Sequence, residues 1–362
     1  MENSGGDALT ISTLANVGDF GRSVLISGGL GKVLELVESQ ESIAARLSPH
    51  ELAHLVNHST LPQLLKLIEA KRRGLSESVR CRPVVMMPFA EWLEQSLRKY
   101  SAEQSIELLI IESQHYLARL SESINLPQRI YLALDSWSGK FSFETLITLL
   151  DRSGCSKDGR YVWLGPSTVD VRQIIAGTKG LEVESVLEQL WKVGVRFIEG
   201  GADVDILRSA ARLGFDIGIS QHVTLNKDEL VGQALERSVQ EMLALGKDTA
   251  RKDTADGALL HVWFPWSKNK LDGEPAGGDA PLGGMLLKLI ALARLLLPEA
   301  RFIRAPVSLL GLKAAHVALE FGANDLGFVA LDVDSANNLG IAKWSEVRET
   351  LELRRGTEVR LG

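Results

Sequence analysis

The sequence predicts an α/β fold: a barrel of the (βα)8 type carrying a helical N-terminal extension. Three observations support this. From Arg82 onward, short apolar or β-branched runs alternate with segments of helical period, and repeated alternation of that kind builds right-handed βαβ units around a parallel sheet. Several runs, such as the "LLII" of Leu108–Ile111, are apolar on both faces, as strands covered on each side should be. Glycine follows several helical segments, at Gly194, Gly214 and Gly322, where a helix must stop before a strand begins. The 362 residues suit a single α/β barrel with additions. The expected division is a helical extension over 1–78, the barrel over 79–340 and a C-terminal helix and tail over 341–362, one structural domain overall.

The extension is expected to be helical because "GKVLELVESQ" and "SPHELAHLVNHSTLPQLLKLIEAKRR" carry apolar residues at i, i+3 and i+4. Ser48, Pro49 and Glu51 form a helix-start pattern as N-cap, N1 and N3. His50, His54 and His58 share a face of that helix. No Asp, Glu or Cys joins them there, so no metal site is assigned.

Nine candidate strands follow: "RPVVMMP", "IELLIIES", "RIYLALDS", "RYVWLGPS", "VRFIEGG", "FDIGISQHV", "LLHVWFPWS", "RFIRAPVS" and "DLGFVALD". Eight places are available, so one candidate is surplus, and it lies among the first two. The expected helices include "FSFETLITLLDRSG", "EVESVLEQLWKVG", "DVDILRSAARLG", "KDELVGQALERSVQEMLALG" and "LGLKAAHVALEFGA". "GGMLLKLIALARLLLP" reads as a buried helix whose Lys288 and Arg294 snorkel to water. "NKLDGEPAGGDAPLGG", after a strand, reads as a loop on the ligand-binding face.

Composition narrows the function. The 45% hydrophobic and 24% charged residues are those of a globular chain, and a net charge of −6 without a basic cluster excludes a nucleic-acid footprint. No apolar run approaches the roughly 20 residues that span a bilayer. "MENSGGDALT" has no basic n-region or apolar h-region, so cytoplasmic location is expected. Two cysteines, Cys81 and Cys155, cannot build a disulfide framework and read as reduced thiols. No G-x-S-x-G elbow occurs, and "GLGK" at Gly29–Lys32 lacks phosphate-loop spacing.

"FIEGGADVDI", Phe197–Ile206, poses the sharpest question. Two glycines and an acid at a strand-to-helix junction either bring backbone amides to a ligand or permit a tight turn capped by Asp203. Both readings stand at this point.

The order of motifs carries a resemblance. "FIEGGADVDILRSAARLGFDIGISQHVTLNKDELV" resembles the fourth and fifth strand region of the radical-SAM subfamily that contains aminofutalosine synthase, dehypoxanthine futalosine cyclase and the deazaflavin (FO) synthase subunits. "QHVTLNKDE" stands in the place of the family's "GHVET"-like turn. "RAPVSLLGLKAAHVALEFGANDLGFVALD" is similar to its seventh and eighth strand region, and "SGKFSFETLITLLDRSG" and "GPSTVDVRQIIAGTKGLEVESVLEQLWKVGV" to its second and third units. The likeness spans about Arg129 to Asp332. It implies a barrel that binds its ligand at the strand C-termini. It does not carry over the family's reaction, which needs three cysteines spaced C-x3-C-x2-C to hold an iron–sulfur cluster. "RPVVMMPFAEWLEQSLRKY" and "IELLIIESQHYLARL" offer no such thiols, and "LALDSWSG" replaces the glycine-rich end of strand two. No cofactor is expected, an iron–sulfur cluster least of all; S-adenosylmethionine binding is left open.

Polar residues at the expected strand ends are the candidate site. They are Glu112, His115, Asp135, Ser167, Asp170, Glu199, Asp203, Gln221, His222, Trp266, Lys268, Asn269, Arg304, Ser308 and Asp332, joined by the turn glycines Gly200 and Gly201. Of these, Asp135, Asp170, Gly200, Gly201, Asp203, Gln221, His222, Trp266, Lys268 and Arg304 are the expected ligand contacts. Arg304 and Glu199 read equally as ligand contacts or as an internal ion pair. Two functions follow. One is a cluster-less barrel that binds a small metabolite or a partner, accessory to menaquinone (futalosine) or deazaflavin biosynthesis. The other is a lyase or hydrolase using His222 with Glu199 or Asp203. The expected partners are a small molecule and either a second copy of the chain or a pathway enzyme, not nucleic acid or membrane.

Overall fold

A computed structural model describes residues 33, 36, 47, 49–72, 79–121, 129–135, 137, 141–153, 159–200, 203–220, 239–240, 260–263, 282–297, 302–352 and 359–361. The described elements begin with α1 (Pro49–His58), α2 (Leu61–Arg72), β1 (Val79–Met87), α3 (Phe89–Leu97), α4 (Ala102–Ser121), β2 (Ile130–Leu134) and α5 (Phe143–Arg152). They continue with β3 (Tyr161–Ser167), α6 (Thr168–Gly177), α7 (Val183–Lys192), β4 (Val195–Gly200), α8 (Val204–Arg212), β5 (Asp216–Ser220) and β6 (Leu260–Trp263). The last are α9 (Leu282–Leu296), β7 (Phe302–Arg304), α10 (Val307–Glu320), β8 (Asp325–Ala330), α11 (Val333–Leu339), α12 (Trp344–Glu352) and β9 (Val359–Leu361).

Every strand pairing is parallel, and β2 to β8 lie side by side in chain order. β1 pairs with β2 through Val84–Met87 and with β8 through Arg80–Val84, so the sheet curls back on itself. β9 adds beside Val79–Cys81 of β1. Strand alternation sorts the side chains into two sets. Cys81, Val85, Ile130, Leu132, Trp163, Ile198 and Ile217 enter the large core between sheet and helices, joined by Val195 at the irregular start of the β3–β4 pairing. Val84, Tyr131, Ala133, Val162 and Phe197 form a second, smaller cluster within the curl.

The expected helix-end glycines at Gly194, Gly214 and Gly322 all take the left-handed conformation. α2 packs on α9, and Lys71 Nζ donates to the Arg294 carbonyl at 2.6 Å. α1 begins at Pro49, and the His54 and His58 rings lie 4.8 Å apart along it. Among the described residues no group of three or more His, Cys, Asp or Glu is placed to hold a metal ion. No described helix is long and apolar enough to cross a membrane.

Two expectations are corrected. "IELLIIES" is not a strand but part of the 20-residue helix α4, and the surplus strand is therefore the second candidate. Leu109, Ile110 and Leu117 face the core, while Leu108 and Ile111 sit on the opposite, exposed side. A helix apolar on two faces reads as a continuous apolar run, which is how a doubly covered strand also reads. The second correction concerns Arg294. It is buried rather than snorkelling, and its Nε donates to the Gly322 carbonyl at 2.8 Å. It thereby satisfies an acceptor at the end of α10. Lys288 is half-buried, and burial lowers its pKa.

Candidate functional site

Inside the curl, four ionised groups form a chain. Arg82 on β1 and Asp325 on β8 are both fully buried, with Arg82 Nη1 2.7 Å from Asp325 Oδ2. Arg304, at the end of β7, reaches the same Asp325 oxygen through Nε at 3.4 Å. Its Nη1 donates to Glu199 Oε2 of β4 at 3.2 Å. Exposure rises along the chain, from 0% at Asp325 through 3% at Arg304 to 27% at Glu199. Glu199 sits near the C-terminal end of its strand, where barrel ligands bind.

Local sequence explains the placement. Arg80 and Arg82 are two apart on β1 and so share a face with Val84. Phe197 and Glu199 do the same on β4. Gly218 on β5 leaves them room: a Cβ there would stand 2.7 Å from Phe197 Cζ and 3.1 Å from Glu199 Cγ. On β8 the register against β1 slips between Arg80 and Arg82. Gly327 sits at this irregularity with φ +81° and donates its N–H to Asp325 Oδ1 at 2.8 Å. The slip lets Asp325 and Phe328, three residues apart, both meet inward-facing groups.

The guanidiniums rest on aromatic faces. Arg304 Cζ is 5.5 Å from the Phe197 centroid and 5.2 Å from that of Phe328; Arg82 Cζ is 5.6 Å from Phe328. Burial alone would lower the Arg82 pKa; the nearby Asp325, with support from Tyr131 and Asp216, outweighs it and leaves the pKa raised. The Tyr131 hydroxyl is buried in this cluster and has no hydrogen-bond partner among the described residues.

The structure brings together Arg304 and Glu199 from the sequence-derived set. It uses most of the other carboxylates to start helices. Asp135 accepts from the Ala90 N–H at 3.0 Å and the Glu91 N–H at 3.2 Å, capping α3 from the end of the neighbouring strand β2. Asp170 forms a capping box with Ser167, accepting from its N–H at 3.0 Å and its hydroxyl at 2.6 Å. Asp332 caps α11 by accepting from the Ser335 N–H at 2.7 Å. Burial, with Asp332 next, pushes the pKa of the neighbouring Tyr116 up. Ser308 lies in the first turn of α10. Glu112 and His115 are not at a strand end; both are exposed on α4. Gly201, Gln221, His222, Trp266, Lys268 and Asn269 lie outside the described residues, so the pairing of His222 with Glu199 or Asp203 does too.

At the Phe197–Ile206 turn, the cap is present. Asp203 accepts from the Ile206 N–H at 3.3 Å, and Arg172 donates to it through Nε at 2.5 Å and Nη2 at 3.0 Å. Gly200 is required by packing, since a Cβ there would overlap the Thr168 side chain. Arg172 is half exposed and its ion pair is worth little, so Asp203→Ala is expected to cost about 1 kcal/mol through the lost cap. The Arg172 hydrogen bonds hold the Asp203 pKa below the usual carboxylate range. A depressed folded pKa means stability present above the unfolded value and lost as pH falls through the folded one. The gap between wild type and Asp203→Ala in urea melts should therefore close on acidification. A gap that widens would assign Asp203 another role.

Arg82, Tyr131 and Asp325 were missed at the sequence level. The signal for Arg82 was available: two arginines two apart in an otherwise apolar run put both on one strand face. The β1–α3 connection also bears on cofactor chemistry. Only Pro88 separates the two elements, and Cys81 is buried on the outer face of β1. Burial, with Asp325 next, pushes its thiol pKa far up, the reverse of what a thiolate ligand needs.

No protein-family model matches the sequence, and no curated protein matches it. The fold is similar to that of methylornithine synthase, at 14% identity over 91% of this chain and 97% of that one, with a TM-score of 0.55. It is also similar to the FeFe-hydrogenase maturase HydG from Carboxydothermus hydrogenoformans, at 14% identity over 96% of this chain and 82% of that one, with a TM-score of 0.55. At such identities the likeness concerns the fold alone, which is radical-SAM-like.

Proposed function

We propose that this chain is a cluster-less relative of the aminofutalosine synthase, dehypoxanthine futalosine cyclase and FO synthase group. In this reading it is a full (βα)8 barrel with an N-terminal extension. It binds a small metabolite at the strand C-termini and is accessory to menaquinone (futalosine) or deazaflavin biosynthesis. The Arg304–Glu199 pair carries the proposal. A guanidinium held by two carboxylates, one of them partly open toward the strand ends, suits a ligand edge that offers an acceptor beside a donor. The buried Tyr131 hydroxyl adds a polar group on the same interior.

The residues present do not fit an iron–sulfur cluster. The chain has two cysteines, one buried in a strand, and a single residue between β1 and the following helix. Cluster binding needs three thiolates at that place.

A thermal-shift screen of nucleoside and deazaflavin-type metabolites should give a hit that raises the melting temperature. Glu199→Gln and Arg304→Lys should each weaken that ligand at least about tenfold, the loss of one charge-assisted hydrogen bond. Anaerobic reconstitution should leave no stoichiometric iron. Four tightly held irons per chain, or a ligand indifferent to both substitutions, would overturn the reading.

A further inference from the structure

Inside the curl, the ionic chain shares its space with an apolar wall. Leu164 of β3, Phe328 of β8, and Leu339 and Ile341 beyond β8 pack on the inner cluster that contains Phe197. All four are only half-buried, although they belong to an interior. Phe197 itself lies under Arg304, 5.5 Å from its Cζ, and Glu199 is two residues further along the same strand face. Tyr131 belongs to this cluster too. Its hydroxyl is buried without a partner among the described residues, a group that a ligand or a water completes.

Local chemistry holds Leu339 and Ile341 in place. Helix α11 lies over the ends of β1 and β8: the Met86 N–H donates to Ser335 Oγ at 2.8 Å, and the Ala330 N–H donates to the Ala342 carbonyl at 2.9 Å. Gly340 ends the helix in the left-handed conformation, at φ +62°, and the Ile341 N–H turns back to the Ala336 carbonyl at 3.1 Å. Leu339 and Ile341 flank this glycine and both pack inward, whereas Asn337 and Asn338 just before them are exposed. Charge defines the other side of the space. Arg82 and Arg304 are matched by Asp325 and Glu199, and Arg80 with Asp216 adds one of each sign. Among the described residues the interior is therefore balanced. An anionic ligand would meet the Glu199 carboxylate and a cationic one the Arg304 guanidinium, with no surplus charge to offset the repulsion.

We infer that Leu339 and Ile341 are specificity-determining residues, and that the ligand they select is uncharged, with an amide or lactam edge on an apolar body. The inference rests on the binding role proposed above for Arg304 and Glu199. Arg304 donates to the ligand carbonyl, Glu199 accepts from the adjacent N–H, and the body lies against Leu164, Leu339 and Ile341.

The test is calorimetric titration of the full chain with 2-pyridone, its benzo-fused form carbostyril, N-methylcarbostyril and the anionic quinaldate. Carbostyril should bind at least about tenfold tighter than 2-pyridone, the order expected for burying the fused ring. Loss of the N–H in N-methylcarbostyril, or the carboxylate of quinaldate, should weaken binding at least about tenfold relative to carbostyril. Leu339→Ala and Ile341→Ala should each cut the preference for carbostyril over 2-pyridone at least about threefold, and Leu339→Met should restore it. Val317→Ala, at an exposed residue of α10, should keep the preference. Glu199→Gln should weaken both lactams alike. A preference that survives both alanine variants, or quinaldate bound as tightly as carbostyril, would overturn the inference, while Glu199 dependence of the lactams would keep the reading it rests on. Binding of neither lactam would overturn it as well. A Glu199-dependent hit among the metabolites would then leave that reading standing, and no hit would remove both.

Discussion

Asp325→Ala is expected to destabilise the protein by about 3–5 kcal/mol, the cost of breaking a buried ion pair on one side. Arg82 is fully buried and loses the carboxylate 2.7 Å away; Arg304 loses its 3.4 Å contact and keeps Glu199. The Gly327 N–H loses its acceptor as well, so the β8 irregularity that aims this region inward is weakened. Urea unfolding should show a lower midpoint at an unchanged slope. A loss under about 1 kcal/mol would mean that the interior reorganises or admits water. The informative control is Arg82→Met with Asp325→Leu. Replacing both charges with apolar groups of similar size is often neutral or stabilising. If the double variant recovers most of the loss, the cost lies in the orphaned charge rather than in the pair itself. The Arg82–Asp325 pair would then contribute no net stability over apolar groups of the same size.

Gly165→Ala is expected to cost about 3 kcal/mol, the upper end of the range for overfilling a packed core. A Cβ at this β3 position would overlap the Phe197 carbonyl oxygen and stand 2.8 Å from Val195 Cγ1 and 2.9 Å from Ile198 Cδ1. A side chain could rotate aside; a strand carbonyl cannot. β3 and β4 must therefore separate where Leu164 is paired with Phe197. Because Phe197 lies under both Arg82 and Arg304, the displacement reaches the ionic chain. Gly177→Ala is the matched control. It sits at the end of α6 with nothing within 4 Å of the added methyl, and is expected to be neutral or stabilising by up to about 1 kcal/mol. Equal effects at the two glycines would remove the steric account.

The sequence by itself determined the α/β alternation, most strand positions from β1 to β8 and the three glycine helix ends. These depend on local period and local backbone conformation, which neighbouring residues set. It also singled out Arg304 and Glu199, which are polar residues at the ends of apolar runs. The tertiary structure decided the rest. Asp135, Asp170, Asp203 and Asp332 could bind a ligand or cap a helix, and only the positions of the Ala90, Ser167, Ile206 and Ser335 amides distinguish the two uses. Arg82 and Asp325 lie 243 positions apart and meet only because β1 closes against β8. α4 escaped the sequence reading because local period cannot tell a strand covered on both sides from a helix with apolar residues on both its core-facing side and its exposed side. Burial resolves that ambiguity, and burial is a property of the folded chain as a whole.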